Sequence, residues 1–182
     1  VSTDSEEYKK VSQEYGAWVP FLRPRCFAED NTSTNEVIEN VLLTLENMGK
    51  TYENFMVLQP TSPLRDENDL KEAFDFFIEK NANSVVSMCE CEHSPLLTRK
   101  LSNEKQLDGF FADLKCSRRQ ELNNYYRLNG AIYLAKVDYF KKYKDFYKEN
   151  SYAYIMDKCK SVDIDDMNDF LYAEFLMKTN KK

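Results

Sequence analysis

Apolar side chains recur every three or four residues in several stretches of this chain, and short apolar runs separate those stretches. One apolar face starts at Val37 and continues through Leu45, after polar residues that can cap a helix. A similar face starts at Leu70, and another closes the chain. The spacing predicts helices over residues 5–15, 34–48, 70–78, 137–147 and 167–177.

Shorter apolar or alternating runs are typical of β-strands. The runs at 55–58 and 84–88 are continuous, as expected for strands that are buried on both faces. Strands are predicted at residues 17–22, 55–58, 84–88, 126–135, 154–156 and 161–165. Alternation of strands with helices predicts an α/β domain with a mostly parallel sheet, whereas residues 96–124 have a weak pattern and predict irregular or antiparallel structure.

Composition adds limits to this picture. The chain has 182 residues, of which 42% are apolar, enough for one sizeable core. The net charge is −6 with no basic block, which argues against a nucleic-acid partner, and no apolar run approaches the ~20 residues of a membrane span. Five cysteines without paired CxxC spacing predict reduced thiols in a cytoplasmic protein, although Cys89 and Cys91 leave open a weak soft-metal alternative.

The segment LQPTSPLR, residues 58–65, follows a predicted buried strand. Ligands of α/β sheets bind beyond the carboxyl ends of the strands, so this is the first place to look for a site. Gln59 would project from the strand end, and Pro60 and Pro63 would make the loop rigid. The alternative is that the prolines only end the strand and Asp66 caps the next helix.

The segment SVDIDDMND, residues 161–169, carries the second candidate site. In an extended segment Asp163 and Asp165 would lie on one face, and such a pair needs a neutralising cation. Hard oxygen ligands suit Mg²⁺ bound together with substrate phosphates. The alternative is the acidic first turn of the last helix, which accounts for Asp166 and Asp169 better than for the first two aspartates.

Two further segments have polar side chains near predicted element ends. In SRRQELNNYYRLNGAIY, Arg118, Arg119 and Arg127 lie near a glycine-bearing strand and could form an anion site, although surface arginines are usually solvated. In FLRPRCFAEDNTST, Arg23 and the hydroxyls before a helix could hold the polar edge of a small molecule, and a plain N-cap is the alternative.

Six segments in this order resemble one enzyme family: VSTDS, LRPRCFAEDNTST, LQPTSPLR, SVVSMCECEHSP, RLNGAIY and SVDIDDMNDF. They are similar to those of the acylneuraminate cytidylyltransferases, or CMP-sialic acid synthetases, and of their pseudaminic and legionaminic acid relatives. The resemblance implies a three-layer, Rossmann-like nucleotidyltransferase fold over residues 1–182, with a dimerisation subdomain at about 136–156. It implies transfer of CMP from CTP to a nine-carbon 2-keto acid sugar, with Mg²⁺ as cofactor.

The resemblance also implies roles for individual residues. Asp163 and Asp165 would hold Mg²⁺ and, with Arg119, would be catalytic. The protein would be a bacterial cytoplasmic homodimer in which Phe146 and Tyr147 reach the partner's site. Residues on the sugar side would be Gln59, Arg119, Arg127, Asn129 and Tyr133, and those on the cytidine side Arg23 and Thr34.

The phosphate-binding loop that opens this family, of the type A-R-x-G/N-S-K, has no counterpart in these residues, which start with VSTDSEEYKK. We therefore expect an N-terminally truncated chain with impaired activity, since such a loop stabilises the leaving pyrophosphate. Two alternatives remain: a D-x-D nucleotide-sugar-dependent glycosyltransferase, whose metal pair usually lies mid-chain, and a non-catalytic dimerisation or binding fragment.

Overall fold

The computed structural model describes residues 1–109, 111 and 123–179. Its helices are α1 (Glu6–Glu14), α2 (Thr34–Asn47), α3 (Glu67–Glu79), α4 (Val137–Tyr143) and α5 (Met167–Thr179). Its strands are β1 (Asn54–Val57), β2 (Ser84–Glu90), β3 (Tyr126–Lys136) and β4 (Ser151–Ile155). None of the helices within the described ranges has the length and apolar character needed to cross a membrane.

The four strands form one sheet in the order β1-β3-β2-β4. Strands β2 and β4 pair in parallel, with Ser84 opposite Ser151. The N–H of Cys91, just after β2, donates to the carbonyl of Tyr125, just before β3, so β3 runs opposite to β2. The bond from Val137 to Glu53 gives the same relation between β3 and β1. One strand direction predominates, and the α/β class predicted from the sequence is confirmed.

The chain divides into two compact units. The first contains residues 1–55 and 135–148. Its α2 begins with a capping box in which Ser33 and Glu36 bond to each other's main-chain N–H. The rings of Phe55, Phe140 and Phe146 lie 5.1–6.0 Å apart between centroids and form an aromatic core.

The second unit contains residues 56–134 and 149–182. Its main core joins Phe77 of α3, Val85 of β2 and Ile132 of β3. A smaller cluster packs Val162 and Ile164 with Leu64 and the inner face of α5. Apolar burial therefore fixes the segment that carries Asp163 and Asp165 from both sides of Asp163.

Two predicted strands are wrong. Residues 17–22 form no strand, because Pro20 has no N–H to donate and neighbouring groups bond irregularly, as from Arg23 N–H to the Thr3 carbonyl. Residues 161–165 also form no strand. There the N–H of Ile164 donates to the Thr61 carbonyl and that of Asp165 to the Asp169 carboxylate, so no regular ladder forms.

Other element boundaries moved by several residues. Helix α4 ends at Tyr143, four residues earlier than predicted, because Lys144 adopts a left-handed conformation with φ 49°. Strand β4 begins at Ser151, earlier than predicted. The described part of residues 96–124 contains only the end of a 3-10 turn, Pro95–Leu97, and no longer element. The predicted helices at 5–15, 34–48, 70–78 and 167–177 are confirmed.

Candidate functional site

Three polar side chains from two other segments approach Gly130 of β3. A Cβ placed on Gly130 would lie 2.4 Å from Gln59 Oε1, 2.9 Å from Ser62 Oγ and 3.4 Å from Asp163 Oδ2. The backbone of Gly130 has φ +71°, a conformation that residues other than glycine rarely adopt. The structure therefore brings together the predicted LQPTSPLR loop, the NGAIY strand and the DID segment at a position that only glycine fits.

Internal hydrogen bonds hold the LQPTSPLR loop in place. Arg65 Nη1 donates to the Gln59 carbonyl at 2.7 Å and also to the carbonyl of Ser62. Partial burial of the guanidinium lowers the pKa of Arg65 from its usual value. The Ile164 N–H donates to the Thr61 carbonyl at 2.8 Å, which joins the loop directly to the DID segment. Gln59 is therefore presented by a loop that is tied both to itself and to the aspartate-bearing segment.

Asn129 connects the same segments from the buried side of β3. Its side chain is fully buried. Oδ1 accepts from Ser87 Oγ at 2.6 Å, Nδ2 donates to Ser161 Oγ at 2.9 Å, and the main-chain carbonyl accepts from Ser62 Oγ at 2.9 Å. The remaining capacity of the amide is used by Met156 Sδ and the Ala131 N–H. In this arrangement the amide of Asn129 bonds the protein interior.

Asp163 and its neighbours provide the acidic part of the site. Asp163 Oδ1 is buried and has no hydrogen-bond partner among the described residues. Burial, and the nearby charge of Asp163, raise the pKa of the Tyr133 hydroxyl. Asp166, in contrast, accepts from the N–H groups of Asn168 and Asp169, which lowers its pKa. The helix-cap interpretation thus holds for Asp166, whereas Asp163 lies outside the cap.

An unpartnered, buried carboxylate oxygen fits a hard cation, because desolvating that oxygen is unfavourable until a positive charge reaches it. No group of three or more His, Cys, Asp or Glu side chains with metal-binding geometry exists in the part of the chain that the structure describes. A divalent ion held by one or two carboxylates would complete its shell with water and substrate phosphates. At Cys89, burial raises the thiol pKa, which disfavours the thiolate that soft metals bind.

Arg127 is held by Glu92. Its Nη2 and Nε atoms contact the two oxygens of Glu92 at 2.8 and 3.2 Å, and this pairing lowers the pKa of Glu92 to about 2. Nη2 also donates to the Ser161 carbonyl at 3.3 Å. The guanidinium therefore joins the end of β2, the start of β3 and the approach to the DID segment.

The remaining predicted residues belong to the first unit or lie outside the described residues. Arg23 and Thr34 belong to the first unit, where Arg23 contacts Asp4 at 3.5 Å and Thr34 is the first residue of α2. Phe146 is 4% exposed within its aromatic core, and Tyr147 is 55% exposed. Arg118 and Arg119 lie outside the described residues.

Sequence reasoning missed several residues of the second unit that support the site. Ser62 and Arg65 belong to the LQPTSPLR motif itself, so their position in the motif was a usable signal. Ser87 and Lys160 carry no such signal, because a serine in an apolar strand and a lysine before an acidic segment are ordinary. Only the fold shows that Ser87 bonds Asn129 and that Lys160 bonds Asp66 and Asp69.

Comparison with known proteins identifies the family of this chain. The sequence model of a protein family described as Cytidylyltransferase matches residues 1–180. An N-acylneuraminate cytidylyltransferase from Escherichia coli O18:K1:H7 is 37% identical over 175 residues, which are 95% of this chain and 40% of that protein. A CMP-N,N'-diacetyllegionaminic acid synthase from Legionella pneumophila is 30% identical over 185 residues, covering 100% of this chain and 78% of the relative.

The chain spans about two fifths of the length of the first of these curated relatives. Among solved structures, a CMP:2-keto-3-deoxy-manno-octonic acid synthetase complexed with CTP superposes with a TM-score of 0.68. It has 12% sequence identity and covers 99% of this chain and 80% of the neighbour, so it shows the fold alone. Because the family match extends over nearly every residue, the chain belongs to the cytidylyltransferase family.

Proposed function

We propose that this protein transfers CMP from CTP to a sialic-type, or nonulosonic, acid and releases pyrophosphate. The observation that carries the proposal is the meeting of Gln59 Oε1 and Asp163 Oδ2 at Gly130. A neutral hydrogen-bonding group and a carboxylate with an unpartnered oxygen both approach Gly130, and a polyhydroxylated sugar acid and a metal-bound phosphate would require such groups. The printed names of the sequence relatives support the same substrate class.

In this proposal Asp163 and Asp165 hold Mg²⁺, which would neutralise phosphate charge in the reaction. The side chain of Asp165 is exposed, and its main-chain N–H is bonded to Asp169. Gln59, fixed by Arg65, would bond sugar hydroxyls, and the half-buried Tyr133 would close the pocket near Asp163. Asn129 would support the pocket from below.

The proposed roles of the arginines differ in their support. Arg119 would grip the sugar carboxylate, as a bidentate guanidinium suits that group. Arg127 would act through its bonds to Glu92 and Ser161, because its charge is already compensated by a carboxylate. Arg23 and Thr34 would serve the cytidine side.

The proposal includes a homodimer in the bacterial cytoplasm. Tyr147 has the exposure that a contact to a partner's site requires, whereas the ring of Phe146 is buried within its own unit. Sedimentation of the full-length protein would test the dimer, and a monomer at micromolar concentration would contradict it.

Two alanine variants of neighbouring aspartates test the proposed chemistry in the full-length protein. With CTP, Mg²⁺ and N-acetylneuraminic, legionaminic or pseudaminic acid, Asp163→Ala should reduce pyrophosphate release at least ~100-fold, because a clamp on phosphate charge is removed. Its thermal midpoint should not fall, because Oδ1 makes no hydrogen bond to the described residues and its carboxylate is partly desolvated.

The control variant should behave in the opposite way. Asp166→Ala removes the N-cap of α5 and should lower stability by ~0.5–2 kcal/mol with turnover nearly unchanged. Retained turnover in the Asp163 variant would refute the metal-ligand role. Failure of the unmodified protein to release pyrophosphate with all three acids would refute the proposed reaction.

A further inference from the structure

Lys160 forms ion pairs with two carboxylates. Its Nζ lies 2.8 Å from Asp66 Oδ2 and 3.1 Å from both carboxylate oxygens of Asp69. The side chain of Asp69 is only 8% exposed, and that of Lys160 is 27% exposed. Burial of a charged carboxylate such as that of Asp69 is strongly unfavourable without a cation. The charge of Lys160 therefore stabilises the buried position of Asp69.

The two carboxylates form the start of α3. Asp66 Oδ1 accepts from the N–H groups of Asn68 and Asp69, and Asp69 Oδ2 accepts from the N–H of Asp66. This is a capping box built from two aspartates, and the charge of Lys160 reduces the repulsion between them. Asp66 directly follows Arg65, the last residue of the LQPTSPLR loop. The lysine therefore fixes the point at which that loop becomes a helix.

Lys160 itself lies three residues before Asp163, at the end of the 3-10 turn Lys158–Lys160. From there the chain continues to Ile164, whose N–H bonds the Thr61 carbonyl in the middle of the loop. The loop and the aspartate-bearing segment are thus joined twice: by the Lys160 ion pairs at the loop's end and by the Ile164 bond at its centre. Asp163 lies between the two connections.

We propose that Lys160 is a positioning residue of the site. Its ion pairs set the register between the segment that presents Asp163 and the loop that presents Gln59, so that both oxygens meet at Gly130. This role rests on the proposed cytidylyltransferase function. A shift of about 1 Å between reacting groups lowers rates by up to ~100-fold, so loss of this register would be seen in turnover before it is seen in folding.

The same short turn provides a matched control. Lys158 lies two residues earlier and contacts Glu90 at 3.2 Å, with both side chains over 40% exposed. Exposed pairs of this kind contribute little to stability. Lys158→Met and Lys160→Met therefore remove the same charge from the same turn, but only the second loosens the connection to the loop. Lys160→Arg restores the charge and serves as the rescue variant.

The experiment measures kcat, and KM for CTP and for the sugar acid, in the full-length protein well below each variant's thermal midpoint. Lys160→Met should lower kcat/KM for the sugar acid ~10- to 100-fold, Lys160→Arg should recover most of it, and Lys158→Met should stay within about twofold of the original protein. If Lys160→Met keeps its kinetic constants while its thermal midpoint falls, Lys160 only stabilises the fold and the proposal is wrong.

A second readout is independent of the reaction. Hydrogen exchange of the Ile164 amide reports its bond to Thr61, and in Lys160→Met it should accelerate more than amides in β2 do. If the unmodified protein shows no pyrophosphate release, the proposed function fails, and equal acceleration at Ile164 and in β2 would overturn the positioning role. If Lys160→Met does not fold, Asp69→Asn keeps the cap and removes one ion pair, and the same comparison applies.

Discussion

Gly130 sets how closely Gln59, Ser62 and Asp163 can approach one another. The backbone of β3 has φ +71° at this position, which glycine adopts readily. The absence of a side chain leaves room for Gln59 Oε1. Gly49 has nearly the same backbone conformation, with φ +75°, but no atom within 4 Å of a Cβ placed there. Comparing the two glycines separates backbone strain from loss of space.

Gly130→Ala should therefore reduce activity much more than Gly49→Ala does. Both variants should lose ~1–2 kcal/mol of stability from the left-handed conformation. Only Gly130→Ala should also push Gln59 aside and reduce kcat/KM at least ~100-fold. Chemical denaturation and pyrophosphate release measure the two effects. Equal activity in the two variants would mean that Gln59 does not need its place beside Gly130.

At this scale the sequence could single out some residues of the candidate site, but it could not show what each side chain contacts. Gln59 could be singled out because it follows an apolar run, at the end of which α/β proteins bind ligands. Asp163 could be singled out because it and Asp165 form a carboxylate pair at alternate positions. Asn129 was expected to face a ligand, yet its amide bonds Ser87 and Ser161 inside the protein. Both kinds of residue look alike in a sequence, because polarity does not show whether a side chain bonds a ligand or another group inside the protein.

At the scale of elements, one ion pair spans the junction of β2 and β3. Arg127 and Glu92 meet with two contacts, and Arg127 also bonds the Ser161 carbonyl. The pairing lowers the pKa of Glu92 from 4.5 to about 2. Because the folded-state pKa is depressed, the pair stabilises the fold fully above pH 4.5, and that contribution is lost as the pH falls from 4.5 towards 2.

Glu92→Gln should reveal this window. The substitution should lower the free energy of unfolding near pH 6 by at most ~1 kcal/mol, because Glu92 is more than half exposed and solvent screens the pair. The difference from the original protein should shrink between pH 4.5 and 3.5. Urea unfolding at several pH values measures it, with the exposed Glu79→Gln as control. A difference that does not depend on pH would contradict the assigned pKa.

Most helices and buried strands could be predicted because periodicity and caps are local properties of the sequence. The failures at 17–22 and 161–165 have another origin. The first run is apolar and the second alternates apolar with acidic residues, which are both patterns of strands, but a strand also needs a regular partner. The end of α4 had no signal either, because it depends on Lys144 in a left-handed conformation that lysine rarely adopts. Tertiary contacts decide such positions.

At the scale of the whole molecule, the family match supports the proposal that the substrate is a nucleoside triphosphate. The alternative that the sequence left open, a D-x-D glycosyltransferase, would bind a nucleoside diphosphate sugar instead. Both would use an aspartate pair and a divalent ion, so the metal does not distinguish them. The identity of the nucleotide does, because a ligand that binds the folded state raises its stability in proportion to RT ln(1 + [L]/Kd).

CTP with Mg²⁺ should therefore raise the thermal midpoint of the full-length protein. At a ligand concentration of 100 Kd the stabilisation is about 2.7 kcal/mol, which corresponds to ~5–10 °C for a domain of this size. UDP-glucose, UDP-N-acetylglucosamine and GDP-mannose should give no comparable shift, and Asp163→Ala should reduce the Mg²⁺-dependent part of the CTP effect. If one of these nucleoside diphosphate sugars raised the thermal midpoint more than CTP, the glycosyltransferase would be favoured, because the site would then select a donor whose phosphates already carry a sugar.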